Sequence, residues 1–473
     1  MIRHASPWTA GALALAAALA IAISWCIANS PLTLYDGLGP ILDSRRVESV
    51  GAMFESALYA AGYLRPVRMA QIKLVADTAP LDPTFAFKVV HVALVAAAFL
   101  LAAAWLRPRS TAEFAGAAIA LVMFVGHHSF FVLYSEAYPI NHFLEIVALA
   151  LAVLTMARGE HRWWKDLLAP LLLAVAAMTI ESGLLIGVIA VACWLVGWRG
   201  VSGRGAIACV AVIAGYLCLR FVILDIPSPG LDERSAGWWL TRLEPAQLVE
   251  RFGTNPLPFY AYNVGAALLD VLLSEPRSGS FQIVGRWLDD DVRPYMWMHL
   301  ASSLLVTVLI LAAVGPALRR WYRGTLEDGD RFVLVAVAAV AANSAVSYGY
   351  VKDEVLSVGA IAYVGAAFAV FSRLGARASG RGLQALAAGL VLVVASGLWT
   401  SRALGALLSL QASAYKVGND WATYSLEREL PQDWEYEPAR RTYEAMRDRN
   451  VRYATPHPRF TPQRDVDEYV EIQ

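Results

Sequence analysis

Charge is what this sequence is short of. Only 16% of its 473 residues are Asp, Glu, Lys or Arg, where ordinary globular domains carry about 25%. The two signs also cancel to a formal net charge of zero. Without a basic excess, nothing points to nucleic acid as a partner. Cysteine is scarce too. Cys26, Cys193, Cys209 and Cys218 all fall inside apolar runs. A disulfide framework or a zinc site would place them in polar loops at short spacings, so they read as small hydrophobes. The motifs of soluble enzymes are missing as well: GxxxxGK[ST], GxSxG, HExxH and CxxC do not occur. No cofactor motif remains, and a divalent cation stays open.

What the chain has instead is hydrocarbon. It is 58% hydrophobic with a mean hydropathy of +0.49. Length alone would allow two or three soluble domains. The repeated apolar runs overrule that, because they approach the ~20 residues needed to cross a bilayer. Helices are then the expected spans, since a barrel would show short alternating segments. The opening run, MIRHASPWTAGALALAAALAIAISWCIANSP, is like a signal peptide but has an apolar core of about 20 residues. That exceeds the usual 7–15, so it reads as an uncleaved first span.

The expected fold is an all-α polytopic membrane protein of about 11 spans. Apolar runs cover 8–28, 85–106, 112–133, 139–156, 167–196, 207–224, 298–317, 332–347, 355–371 and 386–407. Run 167–196 is too long for one straight helix and is interrupted at Thr179-Ile180-Glu181-Ser182-Gly183. An ionised Glu mid-span costs roughly 2.5–3.5 kcal/mol on insertion scales. A helical hairpin with Glu181 at its tip avoids that cost and makes the run two spans. Lys and Arg set the orientation. With the N-terminus in the cytoplasm, the inner loops carry Arg107 and Arg109; Arg158, Arg162 and Lys165; Arg199 and Arg204; Arg319, Arg320 and Arg323; and Arg373, Arg377 and Arg381. The short outer loops carry almost none, Lys352 excepted, and the C-terminus falls outside.

Leu257–Leu273 is apolar enough to span but contains Asn263 and Asp270. Were it a span, every later loop would invert and the Arg319 cluster would face outward. It is therefore expected along, or partly in, the outer membrane face, where Gly237-Trp238-Trp239 also favour the interface. The organisation is then a transmembrane domain, 1–408, with long outer loops at about 30–84 and 225–296, followed by a polar outer tail, 409–473.

The outer side collects the chemistry. Asp36, Asp43, Arg65, Arg68, Glu136, Glu181, Lys352 and Asp353 share it. A carboxylate there can act as a general base toward a hydroxyl. Arg and Lys can neutralise a phosphate leaving group, Arg in bidentate fashion. Those are the two needs of sugar transfer from a lipid phosphate. His127-His128 and His142 flank an outer loop among aromatics, and interface packing suits them better than metal ligation.

Several stretches, in order, resemble the GT-C superfamily of integral-membrane glycosyltransferases, especially bacterial members akin to protein O-mannosyltransferases. Leu34-Tyr35-Asp36-Gly37 supplies an acid after the first span. AAGYLRPV, with Tyr63, Arg65 and Pro66, precedes the second. HHSFFVLYSEAYPINHFLEI is an aromatic outer loop containing Glu136. AAMTIESGLLIGVIA is similar to the family's acidic hairpin, with Glu181 in the Glu position. YGYVKDEVLSVGAIAYV is similar to its late basic outer loop. The chain departs from the pattern where Gly37 follows Asp36 in place of a second acid, where Ile180 replaces a Lys, and where Lys352 stands in for an Arg.

The resemblance implies a bacterial inner-membrane enzyme that moves a sugar from a polyprenyl-phosphate-linked donor to an extracytoplasmic glycan, lipid or protein acceptor. Asp36, or else Asp43, would be the base. Arg65 and Lys352 would sit near the lipid phosphate, with Arg68, Glu136 and Glu181 binding substrate. Three other readings compete, a non-catalytic scaffold among them. An O-antigen-type polymerase or ligase would need a large Arg-dominated late loop. A transporter or flippase would need a second half mirroring the Glu181 region.

Overall fold

A computed structural model describes residues 6–34, 38–59, 62–135, 142–228, 230–423 and 436–454. Helix α1 (Pro7–Ala28) begins where Ser6 accepts a hydrogen bond from Thr9 N at 3.2 Å. Pro7 sits in the first turn, where its missing N–H goes unneeded. Three short helices fold the first polar interval: α2 (Leu38–Asp43), α3 (Val50–Leu58) and α4 (Pro66–Asp77). Next come α5 (Thr84–Leu106), α6 (Thr111–Gly126), α7 (His128–Ser135), α8 (His142–Arg158), α9 (Trp163–Thr179), α10 (Leu185–Leu195) and α11 (Gly203–Cys218). The second polar interval holds an antiparallel ribbon, β1 (Ala236–Trp238) with β2 (Thr241–Leu243), and helices α12 (Pro245–Phe252), α13 (Leu257–Leu273) and α14 (Gln282–Leu288). Helices α15 (Pro294–Tyr322), α16 (Asp328–Val346), α17 (Ser357–Ala378), α18 (Leu383–Thr423) and α19 (Glu437–Asn450) complete the described chain.

Seven of these helices, with the turns that extend them, are long and apolar enough to cross a membrane: α1, α5, α11, α15, α16, α17 and α18. The pair α6 and α7, bent by 60°, makes an eighth if counted as one span. The protein is thus an all-α multi-pass membrane protein. Helix α17 is its centre, with every residue from 357 to 371 buried. It packs against α6, α16 and α18. The approach of α6 is close enough that a Cβ on Gly116 would lie 2.9 Å from Phe368 O, so only glycine fits.

Polar contacts stitch the two ends of the bundle. At one end, Ser6 Oγ and Thr9 Oγ1 donate to Pro108 O, and Arg158 donates to Leu106 O and pairs with Asp328. Asp328 also accepts from Trp198 Nε1, and buried Asp330 receives both Arg320 and Arg373. The loops expected to carry the Lys and Arg excess therefore meet at one end. At the opposite end, Lys88 Nζ donates to Ala28 O. Buried Arg402 there donates to Gly126 O, Ser302 Oγ and Ser303 Oγ, tying α18 to α6 and α15.

The interruption in run 167–196 folds as a tight hairpin. Asp166 at the start of α9 accepts from Ser202 N at 2.7 Å and Ser202 Oγ at 2.6 Å, just before α11. That closes the base of the hairpin, and a 3-10 turn, Glu181–Leu184, forms its tip. Helix α13 packs against α15, α16 and α17, and Asn263 and Asp270 are fully buried in protein. Asn263 Nδ2 donates to Tyr348 O at 2.9 Å.

Helix α18 runs without a break past residue 408, and the tail beyond it returns onto the first polar interval. Trp421 Nε1 donates to Leu32 O at 2.6 Å, and Leu32 N donates to Asn450 Oδ1 at 3.1 Å. Arg45 donates to Thr442 Oγ1, Ala76 O and Ala79 O. Leu34, Leu38, Ile72, Trp421 and Tyr443 share one apolar cluster.

Candidate functional site

The hairpin tip is where the charges converge. Its 3-10 turn exists because Ile180 is extended (φ −160°, ψ 149°), which ends α9 and swings Glu181 outward. Gly183 lets the turn sit against α9, since a Cβ there would lie 2.3 Å from Ala176 C. Two arginines from different parts of the chain then meet Glu181. Arg65, the residue before α4, reaches Oε2 through NH2 at 2.7 Å and Nε at 3.1 Å. Arg220 reaches Oε1 at 3.1 Å and also donates to Gly62 O and Pro227 O. Arg220 projects from a π-helical turn, Leu219–Ile223, that finishes α11. Such single π-helical turns are rare and frequently found at functional sites.

A cavity of about 450 Å³ opens beside this triad. Its polar lining includes Arg65, Glu181, Arg220 and Arg234, three guanidinium groups against one carboxylate. Aromatic rings hold the cations in place. Arg65 lies 4.1 Å over the Tyr63 ring, and Arg234 lies 4.2 Å over the Tyr350 ring and donates to the Tyr63 hydroxyl. Phe143, Leu217, Phe221 and Phe259 form the apolar wall. Three buried atoms here, Ser182 Oγ, Tyr216 Oη and Arg220 Nε, have no hydrogen-bond partner among the described residues. A buried polar group left unpaired costs about 1–3 kcal/mol, which a ligand rich in acceptor oxygens relieves. The excess of cations gives that ligand its sign: the cavity suits an anion with an apolar portion.

The expected site residues are distributed unevenly about this cavity. Arg65 and Glu181 are brought together on its wall. Lys352 lies between two lining residues, Tyr350 and Val355, but its ammonium faces Glu354 at 3.4 Å. Arg68 stands on α4 outside the lining. Asp43 ends α2 with its side chain exposed, and Arg45 beside it is turned to Asp77 and the tail. Asp36 and Glu136 lie outside the described residues. His127 stacks on His128 with ring centroids 4.5 Å apart and faces Tyr363 and Trp399, and both histidines are buried in protein.

Arg220 and Arg234 were missed by sequence reasoning. The signal for Arg220 was present, an ionisable residue inside an apolar run. Arg234 stands in a polar stretch with nothing in its spacing to single it out.

The chain matches no protein-family model, no curated protein and no solved structure.

Proposed function

We propose that this protein is a membrane glycosyltransferase of the GT-C type, moving a sugar from a polyprenyl-phosphate-linked donor to an acceptor outside the cytoplasm. In this reading the polypeptide makes eleven passes: α1, α5, α6 with α7, α8, α9, α10, α11, α15, α16, α17 and α18. The basic end faces the cytoplasm of a bacterial inner membrane, and the cavity and tail face outward. The acceptor hydroxyl attacks the sugar carbon and gives its proton to Asp36. The bond from that carbon to the phosphate oxygen breaks, and the polyprenyl phosphate leaves with the negative charge. Arg65, Arg220 and Arg234 receive that charge in a site poorer in water than bulk solvent, where preorganised donors act most strongly.

The observation that carries the reading is the pairing of Arg65 and Arg220 across Glu181 at the edge of an amphipathic cavity. A phosphate needs the guanidinium groups, and a prenyl chain or sugar face needs the aromatic wall. The test uses protein purified in detergent and supplied with extracted lipid-linked sugars and periplasmic acceptor material. Free polyprenyl phosphate should be released by the wild type and not by Arg220→Ala. If no lipid-linked sugar is consumed, and the protein instead moves solute across proteoliposomes, the transporter reading replaces this one.

A further inference from the structure

A second polar cluster lies away from the triad. His128 opens α7 at the 60° bend, Asp270 stands in the last turn of α13, and Asp353 opens a 3-10 turn, Asp353–Leu356. One ligand-capable atom from each lies within 4.8 Å of the others. His128 Nε2 contacts Asp270 Oδ1. Asp353 Oδ1 accepts from Ser278 N at 2.9 Å and Ser278 Oγ at 3.1 Å. His128 is 4% exposed and Asp270 is fully buried.

The hydrogen-bond inventory of this cluster does not close. Asp270 Oδ2 and His128 Nδ1 are buried with no donor or acceptor partner among the described residues save the facing carboxyl of Asp353, which lies within hydrogen-bond reach of Asp270. No Lys or Arg of the described residues forms an ion pair with Asp270 or Asp353. The nearby Arg277 is turned to His299 Nδ1 and Arg402 to backbone and serine oxygens. Two carboxylates thus share a largely buried site with one imidazole and no paired cation. An ionised carboxylate is held in such a place only by pairing or by a metal.

We propose that His128, Asp270 and Asp353 bind a divalent first-row metal ion, Zn2+ or Mn2+. One imidazole nitrogen and two carboxylate oxygens form a donor set suited to those ions. The ion fastens the 350–356 loop, whose Tyr350 and Val355 line the cavity, onto α7 and α13. This inference does not rest on the sugar-transfer reading, because a protein without transferase activity would bind the ion equally.

The test is direct metal binding. Full-length protein in detergent, with any polyhistidine tag removed, is stripped with chelator and titrated with Zn2+ and, separately, Mn2+. Bound metal is read by elemental analysis and by the loss of the free Mn2+ paramagnetic resonance signal. Wild type should take up one equivalent of one of the two ions, and its melting temperature should rise as that ion is added. Asp353→Asn, which keeps the shape of a half-exposed side chain, should bind at least tenfold more weakly at an unchanged metal-free melting temperature. His128→Gln should lose the metal-dependent rise. Stripped wild-type protein that takes up neither ion, as a cluster held by a shared proton would, overturns the proposal. So does Asp353→Asn binding as tightly as wild type.

Discussion

Arg220 meets Glu181 at 3.1 Å from a π-helical turn, on the side of the carboxylate away from Arg65. The carboxylate is thereby held from both sides, and neither arginine is free to fold back into the bundle. Arg220→Ala should lower affinity for a polyprenyl-phosphate donor at least tenfold. Arg220→Lys should recover part of it, because Lys keeps the charge but loses the planar fork. Arg68→Ala, outside the cavity lining, should change affinity less than about threefold. Donor binding to the detergent-purified variants checks all three, and equal affinity in wild type and Arg220→Ala would remove Arg220 from the site.

The base assignment separates Asp36 from Asp43. A positioned base typically contributes 10²–10⁴-fold. Asp36→Asn should leave donor binding intact while transfer falls at least about a hundredfold. Asp43→Asn should transfer at close to the wild-type rate, since that side chain is exposed at the end of α2. The reverse result moves the assignment to Asp43, and normal transfer by both variants ends the catalytic reading of the first loop.

Gly183 is a steric requirement. Its added Cβ would meet Ala176 C at 2.3 Å and Ala176 O at 2.4 Å, whereas one at Gly215 on the neighbouring helix meets nothing within 4 Å. Overpacking of this kind costs typically 1–3 kcal/mol. Gly183→Ala should lower the melting temperature by several degrees and weaken donor binding, because Glu181 and its two arginines shift with the turn. Gly215→Ala should do neither. Melting curves and donor titrations on the same preparations decide it.

Burial raises the carboxyl of Glu275 to about 7, against partial compensation from Ile283 N and Arg277. An acid whose folded value is raised contributes full stability below its unfolded value near 4.5, and that contribution is lost as pH climbs through 7. The second polar interval should therefore loosen between about pH 5 and 8. Glu275→Gln should flatten that dependence and melt higher than wild type at pH 8. A wild-type melting temperature that rises across the same interval would contradict the assignment.

Orientation is checked with reporter fusions. Those after Arg109, Arg204 and Arg323 should report cytoplasm, and those after Asp43, Asp232 and Gln411 the outside. A cytoplasmic signal at Gln411 would mean that the number of passes differs by one.

Much of the helix order was legible because lipid imposes it. A run of 30 residues with one carboxylate in its middle has few solutions, and the hairpin at Glu181 is one of them. The site was legible only in part. Arg65 stood beside Pro66 in a polar stretch and was found. Arg220 stood near the end of an apolar run, where a long cation ordinarily reaches the interface and draws no notice. Asn263 and Asp270 stand out in the sequence as obstacles to a membrane span, and protein contacts bury both. His128 and Asp270 are 142 positions apart, and no local spacing announces a contact of that range.

The clasp on Leu32 sets the order in which the molecule can be finished. Both peptide groups of that residue are satisfied from the tail, the carbonyl by Trp421 and the N–H by Asn450. A ribosome adding roughly 5–20 residues per second takes about 20–80 s to travel the 389 positions from Leu32 to Trp421. Throughout that interval the segment around Leu32 is already made but has no latch. A chain released between α17 and Trp421 would carry every helix before α18 and still leave Leu32 unclasped. Termination between α17 and Trp421 thus leaves both peptide groups of Leu32 without their partners, and closure of the first polar interval waits on the last stretch to be made.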